Sequence, residues 1–487
     1  MVLRWLMIIS VFAGLAGCEG AKAPADSEPA PVAEQVENTE PAATAEDPVV
    51  KPFTVDLSYH TLDNGLKVIL SEDDTAPVVT VAVYYNIGFR IEPRDRTGFA
   101  HLFEHMMFQG SENLGKMEFI KLVQANGGIL NGSTRYDFTN YFEIVPAHKL
   151  ETMLWAEADR MRGLSITDEN LANQQGVVKN EVKVNVLNQP YGGFPWLWMP
   201  QYANENWYNS HNFYGDLEDL DAASLNDVAV FFSQYYAPDN AAIAIVGDFD
   251  SAEALEMVKK YFSDIPASPE PVTLPDITEP RQETEKKVSR EDPLATRPGF
   301  AFAYHVPERL TPEWYAMGLI DQILLQGNDS MLHQALVKSA GMTDGVSGGI
   351  NALLGNMLNY KGPMLWTGSF IHDAGVSRED ILEVFDGVIG ELKAAPVDQA
   401  TLDRAIVKWR SAYYDQINNF FGFGRADLLA SLALFDDKPA LINDFEKGIM
   451  AVTPELIQNT AREYLRPTNR TTLVLEAGAA EQEQNNG

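Results

Sequence analysis

Cysteine is almost missing from this chain: Cys18 is the only one in 487 residues. No disulfide can close within the chain, and thiol catalysis is excluded once Cys18 is given another task. Basic residues are also scarce, with 36 Lys and Arg against 69 Asp and Glu, a net charge of −33. A surface field of that sign argues against binding nucleic acid or anionic lipid headgroups, and favours solubility and basic partners. The apolar run Trp5 to Leu15 is too short to cross a bilayer. What is present is an ordinary globular share of apolar residues, 45%, in a chain whose length calls for two or three domains.

The lone Arg4 followed by Trp5 to Leu15 reads as a secretory leader. It ends in Leu15-Ala16-Gly17-Cys18, which resembles the bacterial lipobox and implies that Cys18 becomes the lipidated first residue; the alternative is an ordinary signal peptide with an incidental cysteine. Residues 1–18 are therefore expected to be a leader. Residues 19–52, rich in Ala, Pro, Glu and Thr, bury too little apolar surface to offset their ordering entropy and read as a tether. The location this implies is the periplasmic side of a bacterial envelope, with membrane contact through the N-terminal lipid only.

Order is expected from residue 53. Residues 53–265 form a first domain, 266–298 a Pro- and charge-rich linker, 299–476 a second domain, and 477–487 a tail. In the first, residues 59–70 read as two strands around Asn64-Gly65, residues 78–87 as a strand, and 129–145 as two more, with helices at 148–162, 167–187, 224–235 and 251–262. The aromatic segment Tyr191 to Tyr214 is either a packed loop or a wall of a substrate cleft. In the second, strands are expected near 300–305, 346–354, 363–370 and 471–475, with helices at 314–325, 330–339, 377–394, 398–419, 424–435 and 454–464. Tyr235 to Asn240 and the strand after it match Tyr464 to Asn469 and its strand, 229 residues later. That repeat points to duplication, and at that offset the second half has no counterpart of the motif described next.

The chemistry gathers at Gly98 to Phe108. His101 and His105 lie four apart, hence on one helix face, with Glu104 beside them. The order His-x-x-Glu-His is a zinc-hydrolase signature. A catalytic zinc takes three protein ligands and an open position, so a third ligand must come from elsewhere. The helix 167–187 offers Glu181, mid-helix among Val177, Val178 and Val182, and Glu169 near its start. Glu104 is better placed as the base that takes a proton from the attacking water and returns it to a leaving amine.

These residues resemble those of the pitrilysin, insulysin and mitochondrial processing peptidase family, over about residues 54–475. His101-Leu102-Phe103-Glu104-His105 is similar to its inverted zinc motif, and Glu181 stands at the family's spacing for the glutamate ligand. Asn131-Gly132-Ser133-Thr134 resembles the family's Asn-Ala-x-Thr edge strand, which adds substrate as a further β-strand. The resemblance implies two tandem α+β domains, each a mainly antiparallel sheet with helices packed on one side. It also implies one Zn²⁺ held by His101, His105 and Glu181, and endopeptidase action on peptides or unfolded segments. Manganese or cobalt would suit the same donors.

Two positions depart from the family. Gln174 stands where a second glutamate is usual and can orient a ligand but not act as base. Val337 and Asp344 stand where active members carry an arginine and a tyrosine, and neither can donate to a developing oxyanion at neutral pH. The expectation is a heterodimer whose homologous partner subunit supplies the Arg/Tyr pair. A non-catalytic or zinc-binding envelope scaffold of the same fold is the competing reading.

Overall fold

The computed structural model describes residues 53–478; the leader, the proposed lipid site Cys18, the tether and residues 479–487 lie outside the described residues. The first sheet contains β1 (Ser58–Thr61), β2 (Lys67–Glu72), β3 (Val78–Tyr85), β4 (Ile129–Thr134), β5 (Thr139–Pro146) and β6 (Ala241–Gly247), in the order β1-β2-β6-β3-β5-β4. The second contains β7 (Lys286–Asp292), β8 (Gly299–His305), β9 (Ser347–Ile350), β10 (Leu365–Ile371) and β11 (Arg470–Ala477), in the order β7-β11-β8-β10-β9. Apart from β1 the two orders are the same. In both sheets one pair is parallel, β2 with β6 and β7 with β11, and the other pairs are antiparallel.

The repeated turn explains the sequence match at Pro238 and Pro467. Each copy is a short 3-10 turn feeding the parallel strand. Asn240 donates its side-chain amide to Tyr235 O at 2.9 Å, and Asn469 donates to Tyr464 O at 2.7 Å.

Seven helices matter here: α1 (Phe99–Met106), α2 (Leu150–Arg162), α3 (Asp168–Val182), α4 (Trp198–Ala203), α5 (Ser251–Phe262), α6 (Pro312–Leu324) and α7 (Phe423–Asp436). One face of β3, with Val79, Val81, Val83 and Tyr85, packs with α1, α2 and α5 of its own half. The opposite face, with Ala82 and Tyr84, packs against α7 from the second half. Every residue of α7 from Gly424 to Phe435 is buried, as expected of a helix apolar on all sides and held between two layers. The exchange is reciprocal: α4, from the first half, lies on β7, β8 and β11, with Met199 and Ala203 buried against Ala301, Ala303 and Leu473. Each sheet thus has its own helices on one face and a helix of the other half on the second.

Two local differences from the sequence reading have simple causes. The expected linker 266–298 contributes β7, whose Lys286, Lys287, Arg290, Glu291 and Asp292 give it the charged character by which an edge strand resists further pairing. The helix expected over 167–187 is α-helical to Val182 and widens into a π turn at Lys183–Leu187, and the helix expected over 330–339 is a π-helix over His333–Ser339. The halves are pinned by the β4–β5 hairpin. Asp137 pairs with buried Arg90 at 2.7 Å and accepts from Lys361 N at 2.8 Å, while Arg90 also donates to Pro363 O at 2.9 Å.

Candidate metal centre

Helix α1 starts without a side-chain cap of its own. Gly98 sits there with φ 80, and a Cβ on it would lie 2.4 Å from Tyr214 O, so only glycine fits. The orphan N–H groups of the first turn are taken by Glu92, which accepts from Gly98 N at 2.9 Å and Ala100 N at 2.6 Å. Glu92 is fully buried, and His211 Nε2 lies 3.6 Å from it. Burial raises its pKa, against the pull of His211 and the helix N–H groups. A buried acid thus fixes the position of the helix that carries the two histidines.

His101 and His105 leave α1 on one face, as their spacing requires, and α3 packs against it to present Glu181. His101 Nε2 lies 3.6 Å and His105 Nε2 3.3 Å from the two carboxylate oxygens of Glu181. One donor atom from each residue falls within 4.8 Å of the others. Glu181 Oε1 accepts from the Tyr214 hydroxyl at 3.0 Å, whereas the buried Oε2 has no hydrogen-bond partner. A buried carboxylate oxygen left without a donor, facing two imidazole nitrogens, fits a divalent cation that takes two nitrogens and one oxygen and keeps an open position.

The proton balance agrees. Burial, reinforced by His105, lowers the pKa of His101. Burial also acts to lower that of His105, but Glu181 and Glu104 outweigh it and the net shift is upward. For Glu181 burial acts upward, and the two histidines with Tyr214 overcome it to hold the carboxyl below its ordinary range. A cation held here would compete with protons for the same nitrogens and carboxylate.

Glu104 projects beside this group without joining it, and its carboxylate accepts from Thr134 Oγ1 at 2.8 Å. Thr134 is buried, and its Oγ1 also lies 3.4 Å from Ala100 O. Its side chain therefore orients Glu104, and only its backbone is left for the substrate strand. Asn131 Oδ1 accepts from Gly132 N, Ser133 Oγ contacts Asn140, and a Cβ on Gly132 would lie 3.1 Å from the Tyr141 ring. Gln174 is buried on α3, donates to Asn173 Oδ1 at 2.8 Å, and adds to the upward shift of His105 behind the larger pull of Glu181 and Glu104. Glu169, the other carboxylate offered by the sequence, is an exposed residue of the first turn of α3 and is not in the cluster. Val337 lies in the π-helix, and the exposed carboxylate of Asp344 pairs with Arg297 at 3.4 Å.

Sequence reasoning missed Glu92 and Tyr214. Tyr214 closes the aromatic segment 191–214, which is packed. Phe213 and Tyr214 pack on the His101 ring at 5.0 and 5.2 Å, while Phe194 and Met199 sit in the core of the second sheet. A vestige in the second half was also missed, because the strand repeat and the helix repeat have different offsets. Gln109-Gly110 follows α1 as Gln326-Gly327 follows α6; counting back from each glutamine, Asp321 answers to Glu104, and Gly318 and Gln322 to the histidines. Asp321 accepts from Trp366 Nε1 at 2.7 Å and from Gln326, and burial pushes its pKa up to about 7. At these positions the second half has an acid used as an internal tie and no ligand residues.

Two family models match the chain: Insulinase (Peptidase family M16) over residues 67–206, and Peptidase M16 inactive domain over residues 222–407. The first spans α1 and α3, and with them the metal cluster. The chain belongs to peptidase family M16, the pitrilysin family. The zinc protease PqqE of Helicobacter pylori is 25% identical over 424 residues, 85% of this chain and 92% of that protein. A protease from the same organism has the same fold, with a TM-score of 0.79 at 24% identity over 87% of this chain and all of the other. The periplasmic protease PqqL from Escherichia coli matches at a TM-score of 0.68 and 17% identity; the alignment covers 88% of this chain and 48% of PqqL. The two models thus divide the chain into a part that carries His101, His105 and Glu181 and a part matched by the inactive-domain model.

Proposed function

We propose that the chain is a zinc-dependent endopeptidase of the bacterial envelope that hydrolyses peptides or unfolded segments. The observation that carries this reading is the convergence of His101, His105 and Glu181 within 4.8 Å, with Glu104 beside them and held by Thr134. Zinc bound there would supply Lewis-acid polarisation of the scissile carbonyl and would acidify water. Glu104 Oε1 or Oε2 takes the proton from the attacking water and returns it to the amine as the C–N bond breaks. Thr134 keeps that carboxylate turned toward the cluster, and Gln174 fixes the His105 ring. Strand β4 offers its backbone to an extended substrate.

Val337 and Asp344 give no donor for the developing oxyanion at the places where the family resemblance calls for an arginine and a tyrosine. The proposed active form is therefore a heterodimer in which a homologous subunit brings that pair. The proposed location is the periplasmic side of the envelope, with Cys18 lipidated. No helix among the described residues is long and apolar enough to cross a membrane.

The test is hydrolysis of an unstructured peptide by the zinc-loaded chain, alone and with its paired homologue. Glu104→Gln should keep one zinc per chain and lose roughly a thousandfold or more in turnover, as loss of an essential proton carrier does. A Glu104→Gln variant with wild-type biological function would favour the zinc-binding scaffold, and full turnover by the chain alone would remove the need for a partner.

A further inference from the structure

Strand β4 closes the first sheet, and among the described residues no strand lies on its outer side. Arg135 N donates to Phe138 O where the β4–β5 hairpin turns, which sets the phase of the ladder. The backbone groups of Ile129, Asn131 and Ser133 then point to β5, and those of Leu130, Gly132 and Thr134 point outward. The side chains alternate as well: Thr134 turns to α1, whereas Ile129 and Asn131 share the opposite face with their register partners Ile144 and Phe142.

Over that opposite face runs the turn that enters α7. Phe423 stacks on Phe142 at 3.8 Å, Phe420 meets the same ring edge-on at 6.3 Å, and Thr80 Oγ1 donates to Phe421 O at 3.0 Å. Thr80 is the partner of Ile144 in the next strand, so the turn lies across the row that ends at Ile129. Its rings are nonetheless open: Phe420 is 47% and Phe421 63% exposed, and Ile129, at the outer end of the row that begins at Thr80, is 45% exposed. Both phenylalanines are left-handed, with φ of 54 and 53. That conformation is unfavourable for a residue with a side chain, and among the described residues both rings stay largely open.

We propose that Phe420, Phe421 and Ile129 form an apolar shelf that receives bulky apolar side chains of a peptide added to β4. The substrate class is then extended peptides with a large apolar residue at alternate positions. This rests on the reading of β4 as the substrate edge. A chain that pairs with the outward groups of Leu130, Gly132 and Thr134, displacing Asn131 Oδ1 from Gly132 N, adds one place, about 4.8 Å, to the row Thr80–Ile144–Ile129. Every second side chain then stands beside Ile129 on the face that the shelf overlooks. The intervening ones face α1 and the metal cluster, so the shelf selects residues flanking the scissile bond without touching it. Strain and exposed aromatic surface coincide at a turn beside an unpaired edge, and an occupant of that edge would bury the rings.

The test uses the full chain and two peptides that differ only in carrying Leu or Ser at alternate positions. Binding is read by fluorescence anisotropy on zinc-loaded Glu104→Gln, and cleavage on the wild type. The Leu peptide should bind roughly tenfold more tightly, the range a hydrophobic subsite gives. The preference should vanish when Phe420→Ala and Phe421→Ala are added, with the Ser peptide unaffected. Ile129→Ser, a single change at an exposed edge, should reduce the preference in the same direction and serves if the double variant folds poorly, as judged by its zinc content. Equal binding of both peptides, or a preference untouched by these changes, overturns the shelf. Wild-type cleavage of both peptides at one rate would do so while leaving the peptidase reading intact. Absence of cleavage of any peptide, with and without the homologous subunit, would instead count against the peptidase reading, and the anisotropy result would still decide the shelf.

Discussion

Replacing Glu92 by glutamine tests whether the metal helix is held from a distance. The carboxylate accepts from Gly98 N at 2.9 Å and Ala100 N at 2.6 Å, and His211 Nε2 lies 3.6 Å away. Glutamine keeps the size but brings one acceptor oxygen and an NH₂ group where there were two acceptors, so one helix N–H faces a donor. A hydrogen bond to a charged group contributes about 1.5–3 kcal/mol, and an orphaned buried donor costs about 1–3 kcal/mol. Against this, the variant no longer buries a charge, and burial is what pushes the Glu92 pKa upward. The net expectation is a loss of about 2 kcal/mol, enough to lower Tm by a few degrees in a chain of this size. Because Ala100 precedes His101, the displaced turn should also weaken zinc binding roughly tenfold, the usual effect of disturbing a group that orients ligands. Competition with a chromophoric chelator and a thermal melt read both quantities. Zinc affinity within twofold of wild type, with Tm within a degree, would refute the argument that this buried acid positions α1.

Thr134→Val removes the 2.8 Å bond to Glu104 while keeping the shape. It should lower kcat roughly tenfold with zinc content unchanged, the loss expected for a bond to a charged acceptor of which only part is felt in the transition state; an equal fall in bound zinc would mean that the residue supports the ligands instead. A third expectation concerns the metal-free protein. The depressed pKa of Glu181 gives stability that is present above the ordinary carboxylate range and lost as pH falls through the folded value. The raised pKa of His105 gives stability that is present below the ordinary imidazole value and lost as pH rises through the folded one. The melting temperature of the apo wild type relative to Glu181→Gln should therefore be highest between these limits, in mildly acidic solution. A difference that is flat with pH would show that no pair forms. Zinc affinity should fall as the pH is lowered, because protons compete for His105 and Glu181.

The sequence by itself determined the chemistry and much of the layout. His101, Glu104 and His105 were legible because their spacing is local: helical periodicity alone puts residues four apart on one face. Glu181 was legible as a carboxylate too costly for its apolar helical neighbours unless paired, and family spacing then separated it from Glu169. The strands were legible from alternation, and the duplication from one repeated turn whose asparagine makes the same bond in both copies. Edge strand β7 escaped, since its charged composition is that of an exposed segment until β11 is seen beside it. Only tertiary structure decided what lies beneath and around the site. Glu92, Tyr214 and Thr134 act across 6 to 34 positions of sequence on partners that no local pattern links to them. The exchange of α4 and α7 between the halves was equally hidden: an apolar helix states that it is buried, but not against which sheet. Periodicity records which side of an element is apolar, whereas the partner of that side is settled by the packing of the whole chain.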